Sequence, residues 1–188
     1  MRILSLWLLF SAGAIFGTPA IAENLFIDTL PVKGNFGGKT VSICVTPTVT
    51  TSNAYGTNYV VGGLLTFANA FTSTGSGMLQ GVTVNMKKVE SIGFTFIPFS
   101  GNPSNSTWTD ANAAAINAAD VFAVRPPVPL SLNSQLGTHT TASAAGLGQP
   151  LAPGATTLYG VLIVSAALTN QFSAASDVQV CVQVLQDV

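Results

Sequence analysis

Few residues in this chain are of the types that do chemistry, and they are scattered. The single histidine, His139, stands between Thr138 and Thr140 in a stretch without hydrophobic pattern. A lone imidazole there reads as a surface side chain. The acids Glu23, Asp28, Glu90, Asp110, Asp120, Asp177 and Asp187 fall on separate turns and caps. They offer no evident pair for glycoside hydrolysis. Gly75-Ser76-Gly77 lacks both the spacing and the strand-to-helix setting of a nucleophile elbow. No phosphate-cradling glycine loop leads into a helix with a lysine. One histidine and two cysteines do not make a zinc site, and the cysteines are not in a C-x-x-C pattern. The sequence therefore predicts no catalytic residue, no cofactor and no metal, and an enzyme is not expected.

The two cysteines sit in segments that alternate with period two. Val41, Ile43 and Val45 share one face, as do Val178, Val180, Val182 and Val184, and each cysteine falls on the opposite, more polar face. The first and last strands could therefore be neighbours, with Cys44 and Cys181 opposed across them. A disulfide fits if the Cα atoms are about 5.5 Å apart, and two unbridged thiols fit otherwise. An exported route favours the bond and a cytoplasmic one does not.

Composition bounds the rest. The chain has 188 residues, enough for one domain with a sizeable core. Only 7% of residues are charged, and the formal net charge is -1. Ser, Thr, Asn and Gln take the place of charges, so repulsion does little to oppose self-association. Lys87-Lys88 is the only basic pair, which argues against a nucleic-acid partner, because counterion release needs a basic patch.

The elements follow from pattern. The run 59–67, YVVGGLLTF, reads as two buried strand pieces joined by a bend at Gly62-Gly63. Residues 39–50 read as a strand edged by Pro47, and 52–58 as a turn. Residues 78–86 and 91–99 read as strands forming a hairpin. Thr109 or Asp110 is placed to cap a short helix through 111–119. Residues 121–124 read as a strand, and Pro126, Pro127 and Pro129 as a rigid extended crossing. Residues 131–156 read as a long loop with one weak strand near His139, and 156–166 and 178–185 as closing strands. The prediction is an all-β domain over 23–188, an antiparallel two-sheet sandwich, jelly-roll-like, with one short helix.

At the N-terminus, Met1-Arg2 precedes an apolar run from Ile3 to Phe16, with small residues before a cleavage point after Ala22. The run is shorter than the roughly 20 residues of a membrane span, so no stable span is expected in the mature form. Segment 1–22 reads as a signal-like segment or as a hydrophobic arm retained in an assembly.

Several blocks resemble small virion structural proteins of tailed bacteriophages: YVVGGLLTFANA at 59–70, SGMLQGV at 76–82, NPSNSTWTD at 102–110, TTLYGV at 156–161 and the close at 177–187. The similarity runs in order from about residue 45 to the end. The signal-like start departs from that pattern. The resemblance implies a non-enzymatic virion component, with capsid decoration or cement the preferred role and a tail or baseplate role next. Its partners would be itself, as a trimer or ring, and a major capsid or other virion protein. The alternative is an exported, periplasmic or secreted adhesin or carbohydrate-binding sandwich. Candidate interaction residues are Tyr55, Trp108, Pro126 and Pro127, with Tyr59 read as core.

Overall fold

Alternating valines and aromatics do form strands, and there are eight of them. The computed structural model describes residues 38–187 apart from 74, 90–92 and 169–170. The N-terminal readings at 1–22 lie outside the described residues, as does most of the lead-in to the first strand. The strands are β1 (Lys39–Val45), β2 (Val60–Phe67), β3 (Gly77–Met86), β4 (Phe94–Phe99), β5 (Val128–Leu136), β6 (His139–Leu151), β7 (Leu158–Val164) and β8 (Val178–Gln186). One 3₁₀ helix, Ala118–Ala123, is the only helical element among the described residues.

The strands pair antiparallel in one continuous order, β1-β8-β3-β6-β5-β4-β7-β2. The result is a nearly closed, barrel-like antiparallel sheet. Strand β5 makes the corner. Its first residues, Val128 to Leu130, pair with β4, and Ser131 onward pairs with β6. A strand that changes neighbours part-way turns the sheet back on itself. At the open seam, Pro47 beyond β1 packs on Gly62 of β2, where a Cβ would stand 2.1 Å from the proline's own Cβ.

The bend at Gly62-Gly63 has a clear geometry. Both glycines have positive φ, 75° and 77°, and the pairing of β2 with β7 skips them. Two inserted residues preserve the alternation. Val61 and Leu65 therefore both enter the main core, while Val60 and Leu64 both face the other side. The main core is built from those residues together with Phe67, Leu79, Val82, Val84, Phe94, Phe96, Leu162 and the even-numbered valines of β8.

Gly160 of β7 faces the core beneath the Phe96 ring, and a Cβ there would lie 2.2 Å from that ring. Phe96 in turn meets Phe67 edge to face at 6.0 Å. Gly160→Ala is expected to destabilise by about 1–3 kcal/mol through overpacking. The urea midpoint measures it, and adding Phe96→Leu should recover part of the loss. An unchanged midpoint in the single variant would count against this packing.

Four sequence expectations are corrected. Strands β3 and β4 do not form a hairpin: β3 pairs with β6 and β8, and β4 with β5 and β7. Residues 131–156 are not a long loop, because β5 and β6 form a hairpin turning at Gly137, whose φ is 63°. The alanine run 111–119 is not helical over 111–117, and its last two residues only begin the 3₁₀ helix. The run's backbone groups are taken by the neighbouring chain: Ala111 N–H donates to Val60 O, Val60 N–H to Asn112 O, and Ala114 N–H to Asn58 O. Pairing of this kind outcompetes a helix of about three turns. Residues 121–124 are not a strand. The 3₁₀ helix ends at Ala123, and only Val124 bridges to Phe99.

Candidate docking face

The outer side of β4, β7 and β2 is apolar, and the segment 100–125 roofs it. Val60, Phe99 and Val161 are buried there, with Leu64, Ile97, Trp108, Tyr159 and Ile163 packed around them. This second small core explains why β7 is buried on both faces. Two aspartates hold the roof, Asp110 by fastening it to the sheet and Asp120 by tying together its own turns.

Asp110 is the first fastener. Its carboxylate accepts from Thr50 N–H at 2.6 Å, from Gly62 N–H at 2.6 Å and from the Tyr55 hydroxyl at 2.7 Å. It ties the roof to the glycine bend and to the stretch after β1, and it caps no helix. Tyr55 is fully buried against Phe172. Its expected place on an interaction surface is therefore corrected: the ring fills the core and only its hydroxyl has a polar role. Burial, then the Asp110 hydrogen bond, pushes the phenol far above its ordinary range, so it remains a donor.

Asp120 is the second. It accepts from Asn105 N–H at 2.9 Å, Asn105 Nδ2 at 2.9 Å and Ser106 Oγ at 2.6 Å. The Ser106 hydroxyl, followed by the Asn105 side chain, holds its carboxyl below the usual carboxylate range. A folded pKa below the unfolded one gives stability above about pH 4, lost as pH falls through the folded value. Amide exchange in 105–120 is expected to accelerate in Asp120→Asn at neutral pH. Wild type should approach the variant only in acid. Equal protection at neutral pH would show that Asp120 fastens nothing.

Trp108 is half-buried on Phe99, with ring centroids 5.4 Å apart. Its indole nitrogen is buried and finds no acceptor among the described residues. Tyr59 is also half-buried, against the main core. Pro126 and Pro127 are exposed and lead into β5. Cys44 and Cys181 are directly opposite in the β1–β8 ladder and form a disulfide, with Cα atoms 4.0 Å apart. Cys44 is exposed and Cys181 half-buried.

The residue that pattern reading missed is Phe122. It is 89% exposed on the 3₁₀ helix, with Val121 beside it and Ile116 exposed nearby in sequence. Read as a strand, Val121-Phe122 would place one side chain on each face. The helical turn leaves both outside. Close to it the roof has a socket of 180 Å³ lined by Ile97, Phe99, Trp108, Ala114, Ile116 and Val124. The exposed aromatic and the apolar socket together make this the candidate docking patch.

The chain matches no protein-family model and no curated protein. Among the described residues, no group of three His, Cys, Asp or Glu could hold a metal ion. No helix among them is long and apolar enough to cross a membrane.

His139 belongs to a separate polar cleft of 490 Å³ at the strand ends, with Lys87, Asn85, Thr141 and Asp177 among its walls. Asp177 is the one acid among the described residues there. One of its oxygens accepts the amides of Ser173 and Ala174 at 2.8 Å each, so it serves the turn before β8.

Proposed function

We propose that this chain is a non-enzymatic structural protein of a tailed-phage virion. It acts as a capsid decoration or cement protein on a jelly-roll-like two-sheet scaffold, docking on copies of itself and on a major capsid or other virion protein. The observation that carries the reading is the roofed face of β4, β7 and β2, with Phe122 89% exposed on it. The weakly charged polar surface supports it, since little repulsion opposes close assembly. Clamping by burial of apolar and neutral polar surface needs no reacting group, and each standard contact buries roughly 1,600 Å².

The test is gradient purification of particles from a host that expresses the sequence, with the chain quantified by mass spectrometry in the particle band. Presence at fixed stoichiometry, with lower heat tolerance of particles lacking the chain, is expected. Recovery only as free protein beginning at Glu23 would remove the reading.

A second reading, an exported adhesin or carbohydrate-binding module, draws on the Cys44–Cys181 bond, because disulfides persist in oxidising compartments. Glycan-array binding lost in Trp108→Ala would promote it above the first.

A further inference from the structure

We propose that the Phe122 face pairs with a second copy of this chain about a two-fold axis, each Phe122 ring entering the other copy's socket. This deepens the docking reading above and rests on it for the view that the face is functional. Three observations point to a second copy. First, knob and socket are neighbours in the chain: Ile116 and Val124, two of the six residues that line the socket, flank the 3₁₀ helix that carries Phe122. A two-fold contact needs a patch that is complementary to itself, and a patch carrying both halves satisfies that.

Second, the sizes agree. An apolar cavity of about 150 Å³ holds a benzene ring, and this socket is 180 Å³. An aromatic side chain buries about 150–250 Å². One ring therefore supplies roughly a fifth to a third of the ~800 Å² per partner that a stable pair requires. Val121, Pro126 and Pro127 are also exposed and continue the surface.

Third, the face exposes little charge to its own image. Of the charged residues in the roof, Asp110 and Asp120 are engaged in the hydrogen bonds described above. Arg125 lines a different cleft with Asp187. Both carboxylates keep their charge, but Asp120 is buried and Asp110 half-buried, so two copies of the face bring little exposed charge together.

The experiment is sedimentation velocity of the full chain from about 1 μM to about 1 mM. Wild type is expected to form dimers within that range, and Phe122→Asp to weaken pairing at least about 30-fold. Ala114→Phe, which fills the socket, should do the same. The two variants mixed should form a heterodimer, because one intact knob then meets one intact socket. Thermal melting and the intact disulfide control for folding. Full-strength dimers in Phe122→Asp overturn the proposal, and so does failure of the mixture to pair. A wild type that stays monomeric while still cofractionating with particles overturns the pairing and leaves the virion reading standing. A Phe122-dependent dimer that never associates with particles keeps the pairing and removes the virion reading.

Discussion

Replacing Cys44 and Cys181 together by serine is expected to lower stability by about 5 kcal/mol. The bond joins residues 137 apart in sequence. Closing a loop of that size in the unfolded chain removes entropy worth about 5 kcal/mol at room temperature in the chain-entropy view. A domain of this kind has only about 5–15 kcal/mol in total, so the variant would sit near the edge of folding. The structure adds where the loss begins. Strand β1 ends the sheet order and is bonded only to β8, and most of its residues are exposed or half-buried. Denaturant titration of wild type, reduced wild type and the double serine variant measures the effect. Hydrogen exchange should show β1 losing protection first. A shift below about 1 kcal/mol on reduction would mean that the ladder and core hold β1 without the bond.

Asp110→Ala is expected to cost about 3–5 kcal/mol. Three donors lose a charged acceptor at once: two backbone amides and the hydroxyl of a buried tyrosine. Hydrogen bonds to charged groups contribute about 1.5–3 kcal/mol each, and members of one network do not add in full. Tyr55→Phe should cost about 1–2 kcal/mol, because the amides keep their acceptor. The two variants also separate by pH. The Tyr55 phenol is raised by burial and by Asp110, so its folded pKa exceeds the ordinary value near 10. The unfolded chain then ionises first, and stability falls as pH rises above about 10. Tyr55→Phe should lack that component of the alkaline loss. Denaturant midpoints from neutral to alkaline pH measure it, and parallel profiles for wild type and Tyr55→Phe would contradict the arrangement.

Much of the barrel can be read from side-chain alternation. The strands β1, β3, β4, β7 and β8 follow from Val, Ile, Phe and Leu at every second position, and the glycine pair marks the bend in β2. The register of the outermost pair follows from the phase of the two cysteines against their valines. What escapes is built from residues without a hydrophobic signature. Strand β6 is rich in Ser, Thr, Ala and Gly, and much of it is exposed or half-buried, so few of its residues need be large and apolar. Strand β5 is the exception, with Val128, Leu130 and Leu132 at alternate positions, but Pro129 among them reads as a rigid crossing. The alanine run misleads because its propensity is local, while the hydrogen bonds that extend it come from Asn58 and Val60, far away in the chain. Tyr55 sits among turn residues and still enters the core, because Asp110, 55 residues later, receives its hydroxyl. Phe122 escapes for the opposite reason: its neighbours describe a strand, and only the 3₁₀ turn turns it outward.

The bond between Cys44 and Cys181 also sets a mechanical load path. Tension applied ahead of Lys39 and beyond Gln186 pulls on the same end of the β1–β8 ladder, since those two residues are partners. Such tension peels pairs one at a time, up to Ile43 and Val182, and is then carried by the sulfur bridge. Because β8 is also laddered to β3, from Gln186 opposite Gly77 to Val182 opposite Val82, the peeling loads β3 as well, while the roof and its exposed ring lie outside the direct line of the pull. With both ends under strain, the bond would keep the pull from travelling through the roof.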